Sequence, residues 1–225
     1  MGDCVASLVA VKALGGGDYK IGFRPEGQRE SMRGYRFDAI QPLLTHQHYI
    51  NSCEWTEKTD GFGKDFSTFR SRYQLHGNLA EQQARHIGVQ VSTIEPWLKV
   101  IPSYHDNVVI ARTSRYHNPM FPWRKIVERF KNKIFVGSVV EHKDFQSQFG
   151  KIEFQPTQNL LELAQVIAGC KMLVSNQSCP FWIAAGLGMP LIQETYLSDM
   201  NSIVLRSNCS YTRNAREIND LLGAL

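Results

Sequence analysis

The chain has 225 residues, 43% of them hydrophobic and 20% charged, with a net charge of +4. That is enough for one large or two small globular domains with a sizeable core, so neither disulfides nor a metal is needed as a staple. The mild positive charge permits an anionic ligand such as a nucleotide, or nucleic acid, and requires neither; no charge run is long enough to read as a nucleic-acid arm.

Five cysteines, Cys4, Cys53, Cys170, Cys179 and Cys209, are scattered, odd in number and never spaced as CxxC. This argues against a zinc ribbon and against a disulfide framework. No apolar run approaches the ~20 residues of a membrane span. The opening Met1-Gly2-Asp3-Cys4 lacks the basic and apolar regions of a signal peptide. A reducing cytoplasm is the expected location.

Val5, Leu8, Val9 and Ala13 recur at helical spacing, and Gly15 to Gly17 end that helix. Its cap is expected at Asp3 or nearby. Tyr19 to Phe23 reads as a strand. A doubly wound domain normally opens with a strand, so the first strand is missing or the fold is reduced. Arg24 to Arg36 is polar and basic, expected as a loop with a short helix over the binding face. A helix is expected over Asp38 to Leu44, a strand over Tyr49 to Trp55, and a loop over Glu57 to Lys64. Phe66, Phe69, Arg70, Arg72 and Tyr73 interleave aromatic with basic side chains. They suit an acceptor groove, single-stranded nucleic acid or a half-buried helix face. Asn78 to Ile87 reads as a helix. Ser92 to Ser103, with Pro96 and Pro102, is the expected boundary between a domain over residues 1–100 and one over 105–225. His46 and His48, near His76, have no carboxylate at ligand spacing, so no metal is expected.

The second half alternates cleanly. Strands are expected at Asn107 to Ala111, Lys133 to Gly137, Ile152 to Phe154, Lys171 to Ser175 and Pro190 to Gln193. Helices are expected at Trp123 to Phe130, Glu141 to Phe149, Asn159 to Gly169 and Cys179 to Gly188, with a closing helix over Arg213 to Leu225. Such alternation predicts an α/β domain with a doubly wound parallel sheet and right-handed crossovers.

Lys171 to Pro190 organises this half. It gives a buried strand, a polar turn Asn176-Gln177-Ser178, and a compact apolar helix stopped by Gly188 and Met189-Pro190. Open α/β sheets hold ligands at that place, against helix N-termini. An ordinary strand–helix unit without a ligand has the same pattern. Arg112, Thr113, Ser114 and Arg115 follow a strand at its carboxyl end. Guanidinium groups clamp diphosphates and hydroxyls add hydrogen bonds, although a solvated basic turn reads the same way. After Gly137 and Ser138, Glu141 either takes ribose hydroxyls or caps a helix, and His142 either faces a phosphate or does the same. Cys179 reads as packing, not as a nucleophile.

Three stretches resemble the heptosyltransferase-like glycosyltransferases of the GT-B fold. They are GDCVASLVAVKALGGG (2–17), VVIARTSRYHNPMFPW (108–123), and FVGSVVEHKDF (135–145) taken with NLLELAQVIAGCKMLVSNQSCPFWIAAGLGMPLI (159–192). The resemblance implies two Rossmann-like domains, the N-terminal one reduced, with a nucleotide-sugar donor bound between them. It implies metal-independent, inverting transfer to a hydroxyl of a glycan, or of a modified nucleobase in DNA, with no cofactor beyond the nucleotide-diphosphate sugar. Asp3 would be the general base, a role that competes with simple helix capping. Arg112, Thr113, Ser114 and Arg115 would hold the diphosphate. Gly137, Glu141, Asn176, Gln177 and Ser178 would meet the nucleoside. Gln177 and Cys179 stand where the family carries Asp and Gly, so the donor need not be an ADP-sugar. The chain is also shorter than a full enzyme of this type. The same residues would serve a non-catalytic nucleotide- or sugar-binding module.

Overall fold

A computed structural model of the chain describes residues 1–22, 35–57, 61–71, 77–212 and 216–217. Helix α1 spans Gly2–Ala13 and buries every residue from Val5 to Val11. A helix apolar on all sides must be enclosed, and α1 packs against two later helices, α3 and α7. Strand β1 (Gly17–Gly22) pairs in parallel with β2 (Ile50–Thr56), and α2 (Tyr35–Thr45) crosses between them. Gly16, at φ 93°, passes so close to Tyr49 that a Cβ there would lie 2.1 Å from its carbonyl oxygen. A 3-10 turn at Phe69–Ser71 and helix α3 (Leu79–His86) complete this half. Asn78 and Glu81 close α3 with a reciprocal capping box.

The second half runs β3 (Val108–Ala111), α4 (Trp123–Arg129), β4 (Lys133–Phe135), α5 (Val139–Phe149), β5 (Glu153–Phe154), α6 (Leu160–Gly169), β6 (Met172–Asn176), α7 (Cys179–Leu187), β7 (Leu191–Glu194) and β8 (Cys209–Thr212). All neighbouring strands are parallel, in the order β5-β4-β3-β6-β7-β8. The chain winds outward from β3 to β5, then returns beside β3 as β6 and winds the other way. β3 is buried at all four residues because helices cover both faces.

The strands and helices expected between residues 107 and 193 are present, with boundaries moved by one or two residues. Two details differ from expectation. Met1, not Asp3, is the N-cap of α1, and it makes no side-chain cap bond. A sixth strand, β8, extends the sheet beyond the expected five; Cys209 to Thr212 alternate too weakly to announce it. Residues 213–215 and 218–225 of the expected closing helix lie outside the described residues, as do residues 24–34 of the basic loop and Arg72, Tyr73 and His76.

The stretch expected as a boundary is firmly docked. The backbone N–H groups of Trp97 and Leu98 both donate to the Gly186 carbonyl at 2.8 Å. The Trp97 indole donates to the Val5 carbonyl at 3.1 Å, and Lys12 to that of Pro96 at 2.9 Å. One hydrophobic cluster accordingly contains residues of both sheets, from Val5 and Tyr19 to Ile183 and Leu191.

Further along, the connector runs against α6. The Ser103 amide donates to the Gln165 carbonyl at 2.9 Å. A Cβ on Gly169 would lie 1.8 Å from the Ser103 carbonyl oxygen, so the backbones touch only because residue 169 is glycine. Gly169→Ala is expected to destabilise the fold by about 1–3 kcal/mol through overpacking. Thermal unfolding followed by circular dichroism checks this; an unchanged midpoint would mean the connector is loosely held.

Candidate active site at the sheet switch point

β3 and β6 are neighbours whose chains leave in opposite directions, which opens a crevice at their carboxyl ends. Asn176 ends β6 and is fully buried. Its Oδ1 accepts the Thr113 amide N–H at 3.1 Å, and its Nδ2 donates to the carbonyls of Thr113 (3.1 Å) and Arg115 (2.5 Å). This side chain is therefore a staple between two loops, and its hydrogen bonds go to protein. Gln177 staples on the other side. It donates to the Asp199 carbonyl, and its Oε1 accepts the Tyr196 amide at 2.9 Å. Three loops, after β3, β6 and β7, are thus tied at one edge of the sheet.

Ser178 is the N-cap of α7, yet its hydroxyl donates back to the Asn176 carbonyl at 3.1 Å and caps nothing. The first turn of α7 therefore presents its positive end toward the crevice without a side-chain cap. Cys179 occupies the first helical position. Burial pushes its thiol up to about 12, so it stays protonated near neutral pH and acts as packing.

The N-terminus of α1 lies against this same turn. A Cβ on Gly2 would stand 3.4 Å from Trp182 Cδ1 and 3.6 Å from Cys179 Cα. Asp3, the next residue, is thereby carried to the switch point from the other half of the chain. Its carboxylate accepts from Arg70 Nη2 at 2.7 Å, with both side chains about half exposed. An exposed pair of this kind contributes only about 0–1 kcal/mol. It orients the carboxylate without locking it away. Arg70 is itself set over the ring of buried Phe69, 4.7 Å from its centroid. Behind Asp3, Tyr19 donates to Ser7 Oγ (2.7 Å), because the Ser7 hydroxyl is committed to the Cys4 carbonyl (2.8 Å). Burial raises the Tyr19 phenol well above its ordinary range, so this support stays neutral.

Two sequence readings are corrected here. Arg112 does not face the crevice. It is buried, donating Nε–H to Glu194 Oε2 (2.9 Å) and Nη2–H to Glu194 Oε1 (3.1 Å). Its guanidinium lies 5.1 Å from the Phe149 centroid and 5.9 Å from that of Trp123. The fork that a diphosphate would need is occupied by a carboxylate with no exposed surface. His142 does not face a phosphate either. Its Nε2 donates to the Ile152 carbonyl at 2.9 Å, and its ring stacks on Phe154.

For Glu141 the capping alternative is realised. It accepts the Ser138 amide at 2.8 Å while Ser138 Oγ accepts the Glu141 amide. Gly137, at φ 142°, permits this turn; a Cβ there would lie 3.0 Å from the Glu141 carboxylate. The residues left at the crevice are Asp3, Arg70, Thr113, Ser114, Arg115 and Ser178. Ser114 and Arg115 are exposed.

Glu194 was not among the residues expected in this region, and Arg70 was expected only within the interleaved aromatic and basic stretch, not as the partner of Asp3. Glu194 carried a legible signal, a carboxylate ending an apolar strand. For Arg70 the interleaving pointed to a groove, but nothing local pointed to Asp3, 67 positions away. Among the described residues no group of three His, Cys, Asp or Glu side chains could hold a metal ion, and no described helix is long and apolar enough to cross a membrane. A concavity of about 250 Å³ beside Lys12, Tyr49 and Trp97 lies at the opposite end of α1 from Asp3.

No protein-family profile and no curated protein matches this sequence. Solved structures do. The E. coli heptosyltransferase WaaC with ADP matches at a TM-score of 0.65 and 11% identity, over 99% of this chain and 96% of its own. The E. coli ADP-heptose LPS heptosyltransferase II matches at 0.59 and 13%, with the same coverage. A glycosyl transferase family 9 protein from Veillonella parvula matches at 0.59 and 11%, over 94% of this chain and 83% of its own. At such identities the likeness is one of architecture: the chain has the GT-B-like, Rossmann-type α/β fold of these transferases, its N-terminal sheet reduced to two strands among the described residues.

Proposed function

We propose that the protein transfers a sugar from a nucleotide-diphosphate sugar to a hydroxyl acceptor. One observation carries this reading. The N-terminus of α1, bearing Asp3, converges on the N-terminus of α7 at the switch point of the second sheet. A helix N-terminus stabilises a diphosphate, and a nearby carboxylate can take the proton of an attacking hydroxyl.

In this scheme the diphosphate lies against the first turn of α7, with Thr113, Ser114 and Arg115 on one side and Ser178 below. Arg115 takes the clamping role that Arg112 cannot fill. Asn176 and Gln177 hold the loops that carry these groups. Asp3 accepts the acceptor proton as its oxygen attacks the anomeric carbon from the face opposite the leaving diphosphate, which inverts that centre. Arg115 and the helix end stabilise the charge on the leaving group, so no metal is required. The solved relatives in fold include one described with ADP and one described as acting with ADP-heptose and LPS, which favours a purine nucleotide donor. The acceptor is a glycan or a modified base in DNA. Five free thiols suit a reducing compartment such as the cytoplasm.

The second reading, a binding module without turnover, is favoured by one feature: Arg112, placed right for a clamp by sequence, is spent on Glu194. A thermal-shift titration with ADP, UDP, GDP, dTDP and CMP separates donor classes. A ligand at 100 times its Kd stabilises the folded state by about 2.7 kcal/mol. A concentration-dependent rise with one nucleotide is expected. No rise with any of them would overturn the transferase reading and leave a sugar-binding module.

A further inference from the structure

Across the end of β6, the loops after β3 and β7 bring two tyrosines together. Tyr116 and Tyr196 have ring centroids 5.7 Å apart and planes inclined at 59°. Both are partly exposed. Tyr116 has φ 59°, the one non-glycine residue with a positive φ among those described. For an aromatic side chain that conformation is strained, and such strain persists where the surroundings over-determine it. The surroundings here do. His117 donates to the Thr113 carbonyl at 2.6 Å, and Asn176 holds the Arg115 carbonyl, so the residues flanking Tyr116 are pinned on both sides. Tyr196 is fixed through its amide by Gln177, and Asp199 closes its turn by donating to the Tyr196 carbonyl at 3.3 Å. Arg115 lies over Tyr116 at 5.2 Å from the ring centroid.

We propose that Tyr116 and Tyr196, beside the Arg115 that clamps the diphosphate, form a saccharide-binding platform that takes one pyranose ring. This deepens the proposed transferase reading and rests on it. Two features select the ligand class. The inclined faces suit a puckered ring whose C–H bonds meet aromatic faces from two directions, whereas a planar base stacks on a single face. Beside the rings stands the Arg115 guanidinium, whose N–H donors suit the hydroxyls of a pyranose ring. The ring is that of the donor sugar or that of an acceptor glycan.

Saturation-transfer difference NMR tests this with the methyl glycosides of glucose, galactose, mannose and N-acetylglucosamine. Ring C–H protons of at least one glycoside should receive saturation from the native protein. Tyr196→Ala should weaken that binding by about five-fold, the scale of one aromatic contact. Tyr196→Phe should retain it. Tyr116→Gly relieves the backbone strain, so it should fold at least as stably and still lose the contact. Displacement of the glycoside by ADP-glucose but not by ADP assigns the platform to the donor sugar; retention in the presence of both assigns it to the acceptor. No transfer to any glycoside, equal transfer in Tyr196→Ala, or a tyrosine-dependent signal from adenosine alone overturns the proposal. ADP binding by the native protein reports separately on the transferase reading, because neither ring is placed on the diphosphate.

Discussion

Glu194→Ala is expected to destabilise the protein by about 3–5 kcal/mol, because it strands the buried Arg112 guanidinium without its counter-charge. For a chain of this size that lowers the melting temperature by on the order of 10 °C. The loss reaches further than one pair. Glu194 Oε1 also accepts the Asn118 amide at 2.9 Å, and Asn118 Nδ2 donates to the Thr195 carbonyl at 3.0 Å. Removing the carboxylate therefore frees the far end of the loop that carries Ser114, Arg115 and Tyr116. Replacing both partners, as Arg112→Met with Glu194→Leu, should be much milder than either single change, since no charge is left buried. Urea unfolding of the four proteins gives the coupling directly. If Glu194→Ala costs under about 1 kcal/mol, the pair is solvated and Arg112 regains its claim to the crevice.

Asp3→Asn should lower transferase turnover by roughly 10²–10⁴-fold, the usual contribution of a positioned general base. Nucleotide binding should stay unchanged, because the diphosphate is held by the other half of the chain. Stability should move little, since the pair lost with Arg70 is half exposed. Arg70→Met supplies the comparison. It leaves the base present but unheld, and a smaller rate loss is expected than for Asp3→Asn. Initial rates at saturating donor measure both. Full activity in Asp3→Asn would remove Asp3 from the chemistry and leave it an electrostatic partner of Arg70. An absence of any transfer in the native protein, with nucleotide binding present, would support the binding module.

Much of the second half was readable because its signals are local. Runs such as Val108 to Ala111 are too short and too apolar for anything but a buried strand. Asn159 stands at the head of the helix it caps, and Gly188 with Pro190 ends α7. That alternation pointed to the loops after β3 and β6; the strand order that makes them a switch point is seen in the sheet itself. What stayed hidden was pairing across distance. Arg112 reads as a free cation until Glu194, 82 positions on, is brought to it. Asn176 reads as a ligand contact until its amide is seen to be filled by the backbone of residues 113–115. Polar side chains at a strand end point to a crevice, but their sequence does not say whether they face the ligand or hold the loops that do. The N-terminal half was harder because its evidence is tertiary: α1 is apolar all round, which hides which side meets α7.

The enclosure of α1 has a consequence for how the chain is made. Val5 to Val11 find much of their cover in α7, which emerges from the ribosome on the order of ten seconds later at ordinary elongation rates. Until then this largely apolar helix has the small β1–β2 unit, α3 and the connector at Trp97 to lean on, without α7. The nascent chain should therefore keep apolar surface of α1 exposed, and be prone to aggregation, until Cys179–Leu187 has cleared the exit tunnel.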